Sequence, residues 1–194
     1  MNEKLSSKQL IIDVATKLFF SQGFEETTFS DVSKKVGISQ PALYAHFRNK
    51  MDILKHGSLH AAIQGRAYID SRLNPNDRAP LRLKSYLQAN LDFFWNEKEF
   101  AHSIIALYYF ASSSPELLEL FLKIQDAAVE RIETLLIQGK HEGAYAFKNT
   151  HSIARAVHSL LVGDCYKTIY SRSKTAANKI RIEHWESIEL LLGI

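Results

Sequence analysis

Proline, glycine and cysteine are scarce in this 194-residue sequence, and each scarcity removes a class of structure. Four prolines and eight glycines leave room for few tight turns, which argues against a many-stranded sheet and for long helices. A single cysteine, Cys165, excludes an intramolecular disulfide and a cysteine-built zinc site, and fits a reducing cytosol. No apolar run approaches the roughly 18 residues of a membrane span, and the polar start of the chain lacks an apolar signal segment. A cytoplasmic protein is therefore expected, with no membrane partner. A glycine-rich phosphate loop, a nucleophile elbow and a credible pair of active-site carboxylates are missing as well, so no enzyme, catalytic residue or cofactor is expected. His56 and His60 stand four apart on a predicted helix but lack a third ligand, so no metal site is expected. Cys165 reads more simply as a small buried hydrophobe than as a redox sensor.

What is present is an ordinary globular balance, with 46% hydrophobic and 23% charged residues, that excludes disorder as the default. Net charge is only +3, but it is unevenly placed. Between residues 30 and 56, Lys34, Lys35, Arg48, Lys50 and Lys55 face only Asp31 and Asp52. An electrostatic footprint for phosphate is best sought there.

The same stretch carries an ordered series of helix signals. Ser6 and Gln9 form a capping-box pattern ahead of Ile11, Val14, Ala15, Leu18 and Phe19, which share one helical face before Gly23. Thr28 precedes Asp31 by three residues and caps a short second helix with Phe29, Val32 and Val36 as its apolar stripe. Gly37 breaks that helix, Ser39 caps a third, and Pro41 lies in its first turn. Leu43 and Phe47 face inward. Two short helices about a glycine turn make a helix-turn-helix. The outward residues of the third helix suit a DNA groove. Gln40 can pair with an adenine edge, Pro41 or Ala42 can touch a thymine methyl, and Tyr44, His46 and Lys50 can reach phosphates. Free N–H groups at the starts of the second and fourth helices are further phosphate donors. A plainer reading stands beside this one: His46 could be a packing residue, and Lys34 and Lys35 a solvated face.

The segment from Thr28 to Lys50, with Gly37, Ser39, Leu43-Tyr44, His46-Phe47 and Lys50 in place, resembles the DNA-binding signature of the tetracycline-repressor (TetR) family. Leu18-Phe19 ahead of Gly23-Phe24 and Thr27-Thr28 is similar to that family's lead-in. The resemblance covers about the first 55 residues. It implies a bacterial homodimeric repressor that leaves a palindromic operator on double-stranded DNA when a small-molecule effector binds. Family DNA-contact roles carry over to Thr28, Ser39, Gln40, Pro41, Tyr44, His46 and Lys50.

An all-α fold is expected, with a DNA-binding domain at 1–50 and a helical ligand-binding and dimerising domain at 51–194. A fourth helix should run from about Lys50 towards Leu73, with a turn at 74–77. Further helices are expected at about 80–96, 98–112, and from Pro115 through Leu136 to a break at Gly139. Aromatic side chains crowd the region from Phe93 to Phe121, which fits either a plain core or an apolar pocket. The resemblance places a ligand among these helices, with Phe94, Tyr108, Tyr109 and Phe121 as candidate contacts and an apolar or aromatic effector. The last two helices, about 149–172 and 175–192, carry more apolar surface than one side of a monomer needs. Val157, Leu161, Trp185, Ile188 and Leu192 are therefore expected in an isologous interface with a second copy. DNA reading independently favours a dimer, because half-sites lie about 34–36 Å apart. Two other functions remain open: a DNA-binding regulator governed by protein partners, and a helical carrier of small molecules.

Overall fold

Nine α-helices account for most of the computed structural model, which describes residues 7–194; no strand occurs among them. The all-helical expectation is met. The helices are α1 (Ser7–Gln22), α2 (Phe29–Val36), α3 (Gln40–His46), α4 (Lys50–Asp70), α5 (Ala79–Asn96), α6 (Lys98–Phe110), α7 (Pro115–His141), α8 (Thr150–Ile169) and α9 (Lys174–Leu192). A 3-10 turn, Ala111–Ser113, follows α6 and shortens the helix expected to reach residue 112. The cap proposed at Ser6 lies outside the described residues. Gln9 uses its side-chain amide to bond Asp13, 2.7 Å away, one turn along α1.

The chain forms two compact units, with α4 and α7 each contributing to both. The first comprises the described residues up to Ile63 together with Glu99–Phe121. Ile11, Ile12, Ala15, Phe29, Val32, Leu43, Phe47 and Ile53 make its core, brought together from α1, α2, α3 with its C-cap, and the start of α4. The second unit comprises Gln64–Lys98 and Leu122–Ile194. There α5, α8 and α9 pack together around Leu83, Leu87, Val157, Leu161, Trp185 and Ile188, with Ile132, Leu135 and Leu136 entering from α7.

Two features of the second unit differ from the sequence reading. Gly139 does not break α7, which continues to His141. A Cβ at Gly139 would lie 2.1 Å from the Tyr145 ring, so this glycine serves close packing of the following segment against the helix. Val157, Leu161, Trp185, Ile188 and Leu192, expected at an interface between copies, are instead all buried in the chain's own core. The apolar side chains that α8 and α9 leave outward are different ones: Leu160 and, at the end of α8, Tyr170, then Ile182 and Leu190. Hydrophobicity alone does not distinguish an inner from an outer apolar position on such helices.

Candidate nucleic-acid interface

Helix α2 begins with a complete capping box. The Thr28 hydroxyl accepts the Asp31 N–H at 3.2 Å, and the Asp31 carboxylate accepts the Thr28 N–H at 2.9 Å and its hydroxyl at 2.6 Å. Those bonds, the side-chain one foremost, hold the Asp31 carboxyl below its ordinary pKa. At the other end Gly37 takes φ 82°, ψ 30°, a left-handed conformation that a side chain would strain, and its N–H bonds the Ser33 carbonyl at 2.9 Å. Ile38 then turns back onto the core. Ser39 accepts the Ala42 N–H at 3.3 Å and starts α3, with Pro41 in its first turn where a missing N–H costs nothing.

Helix α3 has two opposite faces. Leu43 and, at its C-cap, Phe47 are buried, fixing the helix to the core. Gln40, Pro41, Ala42, Tyr44, Ala45 and His46 are all exposed. Tyr44 is 57% exposed, yet its ring packs on buried Phe29 with centroids 4.7 Å apart, which restricts its rotamers while the hydroxyl stays available. Small side chains at Ala42 and Ala45 leave the middle of this face low enough for a base edge to approach. Lys34 and Lys35 of α2 are exposed and form no ion pair among the described residues, so their charge is open to a phosphate.

The remaining positive charges are engaged within the chain. The Lys50 ammonium donates to the carbonyls of Phe24 (2.7 Å) and Glu25 (3.0 Å) and lies over the Phe24 ring, so it ties the α1–α2 connection to α4. Arg48 pairs with Asp52 and Glu116, and Lys55 with Glu116. The start of α4 is also satisfied internally. Asn49 accepts the Asp52 N–H at 2.9 Å, while the Asp52 carboxylate accepts the Arg48 N–H at 3.0 Å. Burial would raise the Asp52 pKa, but the bonds and charge from Arg48 outweigh it and keep the carboxylate ionised. A negative charge thus occupies the helix end where a phosphate was expected. His56 is held below its ordinary pKa by burial and by Lys8, and Lys8 Nζ lies 3.2 Å from His56 Nε2.

The aromatic candidates do not meet in one cavity. Tyr108 and Phe121 pack edge to face, 4.9 Å apart, in the first unit. Tyr109, 79% exposed, lines a groove of about 300 Å³ among α1, α4 and α6, with Phe19, Phe20, Phe24 and Phe110. Phe94 belongs to the second unit and packs against that unit's core. Sequence reasoning missed Phe20, near the end of α1, and Phe24, in the turn that follows it, as groove residues. It also missed the role of Phe29 beneath Tyr44, because the contact spans two helices. No group of three or more metal-ligating side chains comes together among the described residues, and Cys165 is buried with its pKa pushed up by desolvation.

The comparisons agree with this geometry. The sequence profile of the tetR family of bacterial regulatory proteins matches residues 11–56. The HTH-type transcriptional regulator AcrR of Shigella flexneri is 37% identical over 51 residues, 26% of this chain and 24% of AcrR. The biofilm operon icaADBC HTH-type negative transcriptional regulator IcaR of Staphylococcus epidermidis is 44% identical over 48 residues, 25% of this chain and 26% of IcaR. The matched segment thus spans about a quarter of these relatives' length. Solved structures extend the likeness over the whole fold. The TetR family transcriptional regulator PfmR from Thermus thermophilus superposes with a TM-score of 0.74 at 26% identity, covering 94% of this chain and 96% of that one. A transcriptional regulator from Saccharomonospora viridis in complex with choline superposes with a TM-score of 0.83 at 16% identity, covering 94% and 95%. Residues 11–56 thus carry the DNA-binding segment of the tetR family of bacterial regulatory proteins, and the whole chain has the fold of a solved TetR family regulator.

Proposed function

We propose that this protein is a homodimeric, DNA-binding transcription regulator, acting as a repressor that leaves a palindromic operator when a small apolar or aromatic effector binds. The observation that carries this reading is the exposed face of α3. Its side chains have the right chemistry for base edges and phosphates, and its opposite face is locked into a core. In this arrangement Gln40, Pro41 and Ala42 read bases. Tyr44, His46, Lys34 and Lys35 position the phosphate backbone, and Thr28 and Ser39 hold the two helices in register. Lys50 acts through the α1–α2 connection it braces.

Dimerisation is supported by the outward apolar residues of α8 and α9. Ile182 and Leu190, 58% and 85% exposed, lie on one face of α9, with Leu160 on α8 and Tyr170 at its C-cap. Two such helix pairs related by a two-fold would bury them. The effector reading is supported by the aromatic groove among α1, α4 and α6, whose volume of about 300 Å³ suits a one- or two-ring molecule. Choline bound to a regulator of the same fold is a further support for a small-molecule input.

Selection from random duplex DNA with the purified chain tests the reading. Recovery of a two-fold-symmetric sequence, bound with steep salt dependence, is the expected result. Weak binding that ignores sequence and salt would overturn it.

A further inference from the structure

A cleft of about 410 Å³ opens in the second unit between the C-terminal ends of α5 and α8 and the first half of α9. Three independent observations point to a ligand there. Thr168, only 1% exposed, lines the cleft, and its hydroxyl has no hydrogen-bond partner. A buried hydroxyl left in that state is costly and invites an acceptor or a donor from outside the chain.

The second observation is charge. Lys174 and Arg181 both line the cleft, and the one carboxylate that faces them, Asp92, is taken by Arg181 through bonds of 3.3 and 3.4 Å. Lys174 forms no ion pair among the described residues. It is also the first residue of the 19-residue helix α9, whose positive end favours an anion. Ser173 satisfies the Ala176 N–H at 3.1 Å, which leaves the N–H groups of Lys174 and Thr175 without intrahelical partners. Asn178, one turn further on, adds an amide donor to the same wall.

The third observation is shape. Trp95 supplies a flat aromatic wall, with the Lys98 ammonium 4.7 Å from its ring centroid and the polar lining elsewhere. Among the residues that line the cleft Lys174 is the one cation without an ion pair, which suits a singly charged anion better than a phosphate dianion, and an indole wall suits a planar apolar body.

We propose that this cleft binds a small planar monocarboxylate, with the carboxylate at Lys174, Asn178 and the first turn of α9 and the ring against Trp95. The site stands apart from the DNA-binding reading, since none of its residues belongs to the helix-turn-helix.

Calorimetric titration of the full chain with 2-naphthoate, beside neutral 2-naphthol, tests it. The expected result is a saturable naphthoate site that depends on Lys174 and binds naphthol at least about tenfold more weakly because naphthol lacks the charge; naphthol taken up by the aromatic groove of α1, α4 and α6 is unchanged by Lys174→Gln. Lys174→Gln is expected to weaken naphthoate about tenfold, whereas Lys179→Gln, exposed on α9 and outside the cleft, leaves it unchanged. Both positions are on the surface, so both variants should fold, which circular dichroism checks. Equal behaviour of the two lysine variants towards naphthoate, or no saturable naphthoate binding at millimolar ligand, would each overturn the proposal.

Discussion

Helices α3 and α9 are both amphipathic, and their outward faces differ in a way that separates two kinds of recognition. The outward face of α3 is built from polar and small side chains: Gln40, Ala42, Tyr44, Ala45 and His46. That of α9 alternates charge with large apolar groups, Ile182, Glu186 and Leu190 following one another at four-residue spacing. The first can exchange hydrogen bonds with a hydrated, charged polymer and return to water unharmed. The second gains most by leaving water for good, which suits a lasting partner such as another copy of the chain. On the proposed reading α3 makes a reversible contact and α9 a permanent one.

The sharpest way to break this comparison is to put a charge on each side of α9. Ile188→Glu places a carboxylate in a fully buried position and is expected to cost more than about 4 kcal/mol, enough to unfold the second unit. Leu190→Glu, two residues on but outward, should leave the melting transition in place and shift sedimentation from dimer to monomer. If Leu190→Glu sediments as the wild type does, the interface lies on another face.

On α3 and α2 the expected effects are smaller and concern binding alone. Gln40→Ala should lower affinity for the selected operator by about 1–3 kcal/mol while sparing random DNA. Tyr44→Ala and Lys34→Gln should weaken both alike, Lys34→Gln also flattening the salt slope by about one charge. Equal losses on both DNAs for Gln40→Ala would remove it from the base-reading set. Thr28→Ala, which deletes the α2 cap, should cost about 1 kcal/mol of stability, measurable in urea titration, and reduce DNA affinity only through the tilt of α2.

The smallest effect is a pH dependence that His184 gives the second unit. His184 is buried, and burial holds its pKa below the ordinary value against the opposing hydrogen bond and charge of Asp164, with Lys167 nearby lowering it further. Above about pH 6.5 the imidazole is neutral in both folded and unfolded chains, and its contribution is fully present. As pH falls below that value the unfolded chain takes up a proton that the folded chain resists, so stability drops. Melting temperature followed from pH 7.5 to 5 should fall less steeply in His184→Gln than in the wild type. Parallel curves would mean that His184 is not the titrating group.

Much of the helix-turn-helix was legible because α2 and α3 are short and each buries a single stripe. Thr28, Asp31, Gly37 and Ser39 act locally, within four residues of their partners, so their roles follow from spacing. Positions whose roles depend on distant partners were not legible. The first turn of α5 has no side-chain cap of its own; the Glu142 carboxylate, 63 residues away, accepts the Ala79 N–H at 3.1 Å. Lys50 and Arg48 looked like free cations in sequence and are engaged by Phe24, Glu25, Asp52 and Glu116. Gly139 looked like a helix stop and is a seat for Tyr145.

By itself, then, the sequence determined the helical class, the helix-turn-helix with its caps and glycine turn, and the outward chemistry of α3, since these depend on neighbours three or four residues apart. Tertiary structure alone decided which apolar face of α8 and α9 is core and which is outward, which lysines remain free for phosphate, and where clefts open. Each of those outcomes depends on what a second, distant segment covers, neutralises or leaves exposed.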